Sequence, residues 1–410
     1  MRRLSIRLPA AGGLGGAAAP ALELDTRLAA MALVLAAIWI VFGVATGGVF
    51  LSARNLFNLS LQVAVVGVMT TGMTLVIVAR QIDLSVGSQI GFIGVVGALA
   101  QTQILPMDGP FTWALACLVM IASGALIGLV QGALIAYAGV PSFVVTLGGL
   151  LFFRNAAYLL NQGKTISPLD ATFQLLGGGI DGSIGATWSW VLGAGGVAAS
   201  LWLAARTRQR RRMFGFAGRP LWLEATLAVG SCALIFGFVA VMNAYRQPRT
   251  NVSMGVSIPV LILIAVVLAM SALARKRRFG RHVFAYGGNP ESVALAGIDT
   301  RRLTLKLFVL MGALCGLASI VVTARLNAAA SVTGTMTELN VIAAAVIGGA
   351  SLAGGVGAIE GALLGALIMQ SLESGMILMG VSTPLQKMIL AAVLIVAVWI
   401  DMAYRRSKPV

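Results

Sequence analysis

Apolar residues in this chain run in long stretches separated by short polar, glycine-rich or basic segments. A helix needs about 20 predominantly apolar residues to cross the hydrocarbon core of a bilayer. Stretches of that order are Leu28–Val49, Leu61–Val78, Val86–Leu105, Trp113–Tyr137, Phe143–Leu160 and Trp188–Ala205. Further along lie Leu221–Met242, Val256–Ala274, Leu303–Val322, Leu339–Val356, Ile359–Met379 and Leu385–Tyr404. Lipid offers no partner for backbone N–H and C=O groups, so each stretch must satisfy them internally, as a helix or in a closed barrel. Barrel strands alternate apolar and polar residues over about ten positions. The chain has no such alternation. The pattern predicts an all-α fold, a polytopic membrane helix bundle of about 10–12 transmembrane helices.

Two stretches carry interruptions. Phe143–Leu160 contains Arg154 and Asn155, and Leu339–Val356 ends in Gly348, Gly349, Ser351, Gly354 and Gly355. Irregular backbone at membrane depth survives only where protein or a water-filled cavity surrounds it. The segments Ile82–Leu99 and Ala350–Leu367 each place a short polar, glycine-containing break before a helix rich in small residues. Transporter folds often arise from repeats with interrupted helices in matching positions, so the echo reads as an internal repeat or as shared composition.

Composition agrees with a membrane class. Of 410 residues, 59% are hydrophobic and only 10% charged, against about 25% charged in soluble domains. The 50 glycines suit helices that approach one another closely. The net charge of +16 changes the picture through its placement. Basic residues cluster between apolar stretches, at Arg2, Arg3 and Arg7, at Arg206–Arg212, at Arg275–Arg281, and at Arg405, Arg406 and Lys408. A nucleic-acid-binding domain would spread them over one folded face with polar and aromatic neighbours, so no nucleic-acid partner is expected. Beside spans they mark cytoplasmic loops. With twelve crossings and a cytoplasmic N-terminus, every strong basic cluster falls on one side; Arg54, Lys164, Arg246 and Arg249 are the main exceptions. Residues 1–27 read as a disordered basic cytoplasmic tail, residues 28–404 as the membrane domain and residues 405–410 as a second cytoplasmic tail.

The chain offers no catalytic constellation. Gly163-Lys164-Thr165 matches the end of a phosphate-binding loop, but the first glycine that motif needs is Tyr158, and no strand precedes it. A single histidine, His282, leaves no histidine-based triad or metal cluster. Cys117, Cys232 and Cys315 sit apart inside apolar stretches without metal spacing. No cofactor and no metal is expected.

The basic loop Arg275–Arg302 carries a self-contained short helix. Asn289 can cap it, Pro290 suits its first position, Glu291 complements the positive end of its dipole, and Gly297 can end it in the left-handed conformation. Val293, Ala294, Leu295 and Ala296 lend it small apolar surface. A two-turn helix is unstable alone in water, so it needs a partner surface, either the bilayer interface or a cytoplasmic protein. A second candidate site is the pair of breaks, Gly72–Ser88 and Gly348–Gly361, expected beside a substrate path. Its candidate residues are Asp83, Ser85, Gly87, Ser88, Gly348, Gly349, Ser351, Gly354, Gly355 and Glu360. The Asp83 carboxylate could cap a half-helix through Ser85 and the amides that follow. Other charges within or beside spans are Arg154, Arg325, Glu373 and Lys387; such charges cost several kcal/mol unless paired or hydrated. Most tryptophans lie near span ends, as interface anchors do.

The loop sequence FGRHVFAYGGNPESVALAGI, preceded by basic residues and followed by a span, resembles the cytoplasmic loop of ribose- and xylose-type permeases of ATP-binding-cassette sugar importers. GMTLVIVARQIDLSVGS (Gly72–Ser88), GVPSFVVTLGGLLFFRNAAYLL (Gly139–Leu160) and AAVIGGASLAGGVGAIEGALLGAL (Ala344–Leu367) resemble three more segments of that family, in the same order. The pair of spans over Leu221–Ala274 is similar to an insertion of the xylose permeases. One departure is Arg80, where the family usually has a small residue, often glycine. The resemblance implies a division of labour in a bacterial inner membrane. A periplasmic sugar-binding protein delivers the sugar, two permease copies form the path across the lipid bilayer, and a cytoplasmic ATP-binding-cassette ATPase drives it. Gly287, Gly288, Asn289, Pro290, Glu291, Val293, Leu295, Ala296 and Gly297 would then form the coupling contact with that ATPase. From the residues alone an ion-coupled secondary transporter stays open, with Glu360 and Glu373 as its acidic pair. A channel would need a filter-like segment that the chain does not display.

Overall fold

The computed structural model describes residues 26–179, 181–214, 221–247 and 251–406. The N-terminal tail falls outside them except for Thr26 and Arg27, which open the first helix, and so does the C-terminal tail beyond Arg406. Fifteen α-helices follow in chain order among the described residues: α1 (Thr26–Ala45), α2 (Ala53–Val78), α3 (Val86–Leu99), α4 (Thr112–Ala136), α5 (Ser142–Asn161), α6 (Ala171–Leu175), α7 (Gly185–Met213) and α8 (Leu221–Ala244). The remainder are α9 (Ile258–Lys276), α10 (Arg278–Gly288), α11 (Pro290–Leu295), α12 (Thr300–Leu326), α13 (Thr337–Ile347), α14 (Ile359–Leu378) and α15 (Thr383–Arg406). No strand occurs among the described residues beyond isolated bridges such as Ile166 with Ala329. Nine of these helices are long and apolar enough to cross a membrane.

Of the two expected interruptions, the one at Gly348 is present and the one at Arg154 is not. Arg154 and Asn155 do not break their span: α5 runs its full 20 residues through both. The stretch Val86–Leu105 is instead shortened, with 14 residues of α3 followed by a π-helical turn over Ala100–Ile104. Leu339–Val356 is a short helix, the 11-residue α13, that stops at Gly348. Both echo segments thus begin with non-helical backbone, but the first leads into the short α3 and the second into the 20-residue α14.

The centre of the bundle is α2, whose span is 94% buried, flanked by α12 and α14. Close approach of backbones builds this centre. Gly124, Gly128 and Gly132 of α4 recur every fourth residue and face α12, where Gly312 and Gly316 present the same spacing. A Cβ on Gly124 would collide with the Gly312 carbonyl, and one on Gly316 with the Met120 carbonyl. Small residues at four-residue spacing let membrane helices pack by dispersion where lipid removes the hydrophobic drive to associate. α13 and α14 pack likewise through Gly348, Gly361 and Gly365. The least buried spans are α5, α7 and α8, each only 11% buried. α9, the second helix of the expected inserted pair, packs into the core instead through buried Leu263, Met270 and Ala274.

Candidate functional site

The basic loop folds as a helical hairpin. The caps of α11 are legible in the sequence, whereas α10 is too short and too polar to register as a span. Its signal was periodicity: Phe279, Gly280, Val283, Tyr286 and Gly287 turn toward the core while Arg278, Arg281 and Ala285 face out. In α11, Asn289 caps as expected, its side chain accepting the Ser292 amide at 3.0 Å. Pro290 is the first helical residue, and Gly297 takes φ +78°. Val293 departs from its expected place on the partner-facing surface. It is buried against the protein, which anchors α11, so the outward apolar surface is Ala294, Leu295 and Ala296. Leu295 is 89% exposed.

At its inner end the hairpin meets both helix breaks. Gly287 lies so close to the last turn of α2 that a Cβ would strike the Val78 carbonyl. The Gly355 amide donates to that same carbonyl at 2.9 Å. Arg80 follows in the left-handed conformation, φ +61°, which costs a non-glycine residue about 1 kcal/mol. Its Nε donates to the Gly287 carbonyl at 2.6 Å and an Nη to the Gly288 carbonyl at 2.7 Å. These are the last two carbonyls of α10, free acceptors at the negative end of its dipole. Gly354 sits beneath the Arg80 stem, with no room for a side chain. The structure therefore joins residues assigned by sequence to two separate sites: Gly287 and Gly288 of the hairpin, and Gly354 and Gly355 of the second break.

The first break is a buried polar knot. Asp83 and Ser85 are almost fully buried. Asp83 Oδ1 accepts the Ser85 amide at 2.9 Å and its hydroxyl at 2.6 Å, so the carboxylate closes the turn that opens α3. Ser85 Oγ accepts from Gln89 at 2.8 Å and from Gln131 of α4 at 2.9 Å. Ser88 Oγ donates back to the Ser85 carbonyl. From α5, Ser142 Oγ accepts the Ile82 amide and Thr146 donates to the Ile82 carbonyl. The knot ties three membrane elements to the loop that Arg80 begins.

In the second break Ser351 organises a small turn, its amide bound to the Val356 carbonyl and its hydroxyl accepting the Ala353 amide. Gly349 has φ +100°, a conformation open to glycine, and Gly348 serves the α13–α14 contact. Glu360 is committed to α9, bonded to Ser271 at 2.7 Å and ion-paired with Arg275 at 2.6 Å. Glu373 is likewise engaged, by Lys387 at 2.9 Å and by Asn340 and Gln370.

Glu338 carries no mark in the sequence that sets it apart. It lies in the first turn of α13, and its carboxylate presses on Gly87 in the first turn of α3. The N-terminal ends of two short helices thus meet at one buried carboxylate, whose Oε2 has no hydrogen-bond partner. Beside it Arg154 donates to Thr335 Oγ1 at 2.7 Å. Arg154 is the thirteenth residue of α5, about 18 Å along its axis and so at membrane depth. Only the three-dimensional meeting of α3, α5 and α13 makes this cluster visible.

A scan against family models matches residues 55–398 to the permease component of branched-chain amino acid transport systems. The xylose transport system permease protein of Escherichia coli is 36% identical over 99% of this chain and 98% of its own length. The ribose import permease protein of Escherichia coli is 32% identical over 86% of this chain and 87% of its own length. The L-arabinose ABC transporter permease protein of Azospirillum brasilense is 30% identical over 88% of this chain and 83% of its own length. No solved structure shows significant similarity.

Proposed function

From the premise that the chain belongs to the family of branched-chain amino acid transport permease components, we propose that it is the membrane-spanning permease subunit of an ATP-driven monosaccharide importer. The observation that carries this reading is the hairpin α10–α11. It holds an exposed Leu295 outward and is fastened at Gly287 and Gly288 to both helix breaks. A hairpin that grips irregular membrane backbone inside and offers apolar surface outside suits docking to a separate ATPase. Asn289, Pro290, Glu291 and Gly297 shape that contact, while Ala294, Leu295 and Ala296 make it. Xylose is the proposed sugar, on the higher identity to the xylose permease across nearly the whole chain. A periplasmic sugar-binding protein delivers it, and the protein sits in a bacterial inner membrane with both termini cytoplasmic.

The path is proposed to run between two copies of the chain. Arg154 is bonded to Thr335 at membrane depth, and Thr335 and the neighbouring Asn155 are exposed. Polar groups there cannot face hydrocarbon without a cost of several kcal/mol. A second copy with a water-lined gap between satisfies them. Glu338, seated against Gly87, lies beside Arg154, and the proposed path includes Ser88 and the rest of the first break.

Proteoliposomes holding the permease, its ATPase and the binding protein test the reading. Labelled xylose should accumulate only with ATP on the ATPase side and binding protein on the other, and ribose and arabinose should compete weakly. Uptake without ATP would overturn the importer reading. Stronger competition by ribose than by xylose would overturn the choice of sugar.

A further inference from the structure

The hairpin could rest on the membrane domain by packing alone, through buried Val283 and the tight seat of Gly287. It has in addition one polar fastening. Arg80 adopts φ +61° against the preference of a side-chain-bearing residue. From there its guanidinium reaches two successive carbonyls, Gly287 at 2.6 Å and Gly288 at 2.7 Å. A planar group bonded through two nitrogens fixes the orientation of what it holds as well as its distance. The acceptors close the end of α10 that leads directly into Asn289 and the exposed helix α11.

We propose that Arg80 is a positioning residue that locks the hairpin to the first helix break and thereby ties ATP hydrolysis tightly to sugar movement. The proposal rests on the importer reading above. Three backbones meet at this point: Val78–Arg80 from the end of α2, Gly287–Gly288 from α10, and Gly354–Gly355 from the second break. The Gly355 amide on the Val78 carbonyl holds the first to the third. The Arg80 stem lies over Gly354, and its guanidinium holds the first to the second. Any displacement of α10 is then imposed on both breaks together. Beyond Arg80 the chain passes in three residues to Asp83 and its bonds to Ser85, from which α3 starts. Without the guanidinium, the hairpin keeps its cap at Asn289 and its packing at Val283, so it still forms and docks. It can tilt without moving the breaks.

The experiment measures ATP hydrolysed and xylose moved by the reconstituted complex, with and without binding protein. Arg80→Gly suits the left-handed backbone and removes both bonds. This variant should assemble with the ATPase and hydrolyse ATP faster without binding protein. It should move about tenfold less sugar per ATP. Arg80→Lys keeps the charge but not the paired geometry, and should fall between. A folded Arg80→Gly complex with the wild-type ratio of sugar to ATP would overturn the proposal. So would loss of the ATPase from the membrane, which would make Arg80 a docking residue. If Arg80→Gly does not fold, a wild-type ratio in Arg80→Lys overturns it equally. Failure of the wild-type complex to move sugar with ATP would sink the importer reading instead, and is scored separately.

Discussion

Asp83 and Ser85 close a three-residue turn in which one carboxylate oxygen accepts both the amide and the hydroxyl of the serine. Both residues are buried, so the turn has no water to replace either bond. Asp83→Asn keeps an oxygen in the same place and should keep most stability and uptake. Asp83→Leu strands the Ser85 amide and hydroxyl and should cost about 3 kcal/mol. Thermal unfolding in detergent and sugar uptake measure the two effects. If the Leu variant matches wild type in both, the turn is a passive loop. If the Asn variant folds and assembles but fails in uptake, the charge itself takes part in gating.

Glu373 and Lys387 join α14 to α15 with side chains 21% and 32% exposed. Asn340 and Gln370 donate to its second carboxylate oxygen, so both oxygens are engaged. Lys387→Gln should destabilise the protein by about 1–2 kcal/mol, less than a fully buried pair would. Uptake driven by ATP should survive both Glu373→Gln and a protonophore. Collapse of uptake with the proton gradient, ATP being held constant, would favour an ion-coupled carrier.

Leu295 and Val293 stand two residues apart on α11 with opposite surroundings, one exposed and one buried. Leu295→Asp should change the permease's own stability by less than about 0.5 kcal/mol while sharply weakening capture of the ATPase. Val293→Asp places a charge under the hairpin and should lower stability as well. Capture of the ATPase by Leu295→Asp at wild-type strength would remove α11 from the coupling contact.

The orientation is open to labelling. In a background lacking Cys117, Cys232 and Cys315, a cysteine at Thr207, near the basic end of α7, should resist impermeant thiol reagents in intact cells. A cysteine at Asp181, before the start of α7, should react once the outer membrane is opened. The reverse pattern would invert the whole bundle.

The apolar lengths determined the helical class and, among the described residues, nine of the twelve expected spans, because lipid leaves a backbone so few ways to satisfy itself. Local chemistry likewise foretold α11, since Asn289, Pro290 and Gly297 act within a few residues of themselves. The turn at Asp83 was legible for the same reason, its partner being two positions away. Depth and neighbourhood were not legible. Val86–Leu105 reads as a span, yet α3 stops at Leu99, where a π-helical turn over Ala100–Ile104 follows, and its N-terminal end meets α13 at Glu338. Glu360 and Glu373 read as a possible coupling pair, but each has a basic partner on another helix, Arg275 on α9 and Lys387 on α15. Arg80 read as an intrusion where glycine is usual, and its partners lie more than 200 positions away. Which helices become neighbours, and at what height, follows from the tight seats of Gly124 on Gly312, Gly348 on Gly361 and Gly287 on Val78. Those contacts depend on the shape of two surfaces at once, which no single stretch of sequence contains.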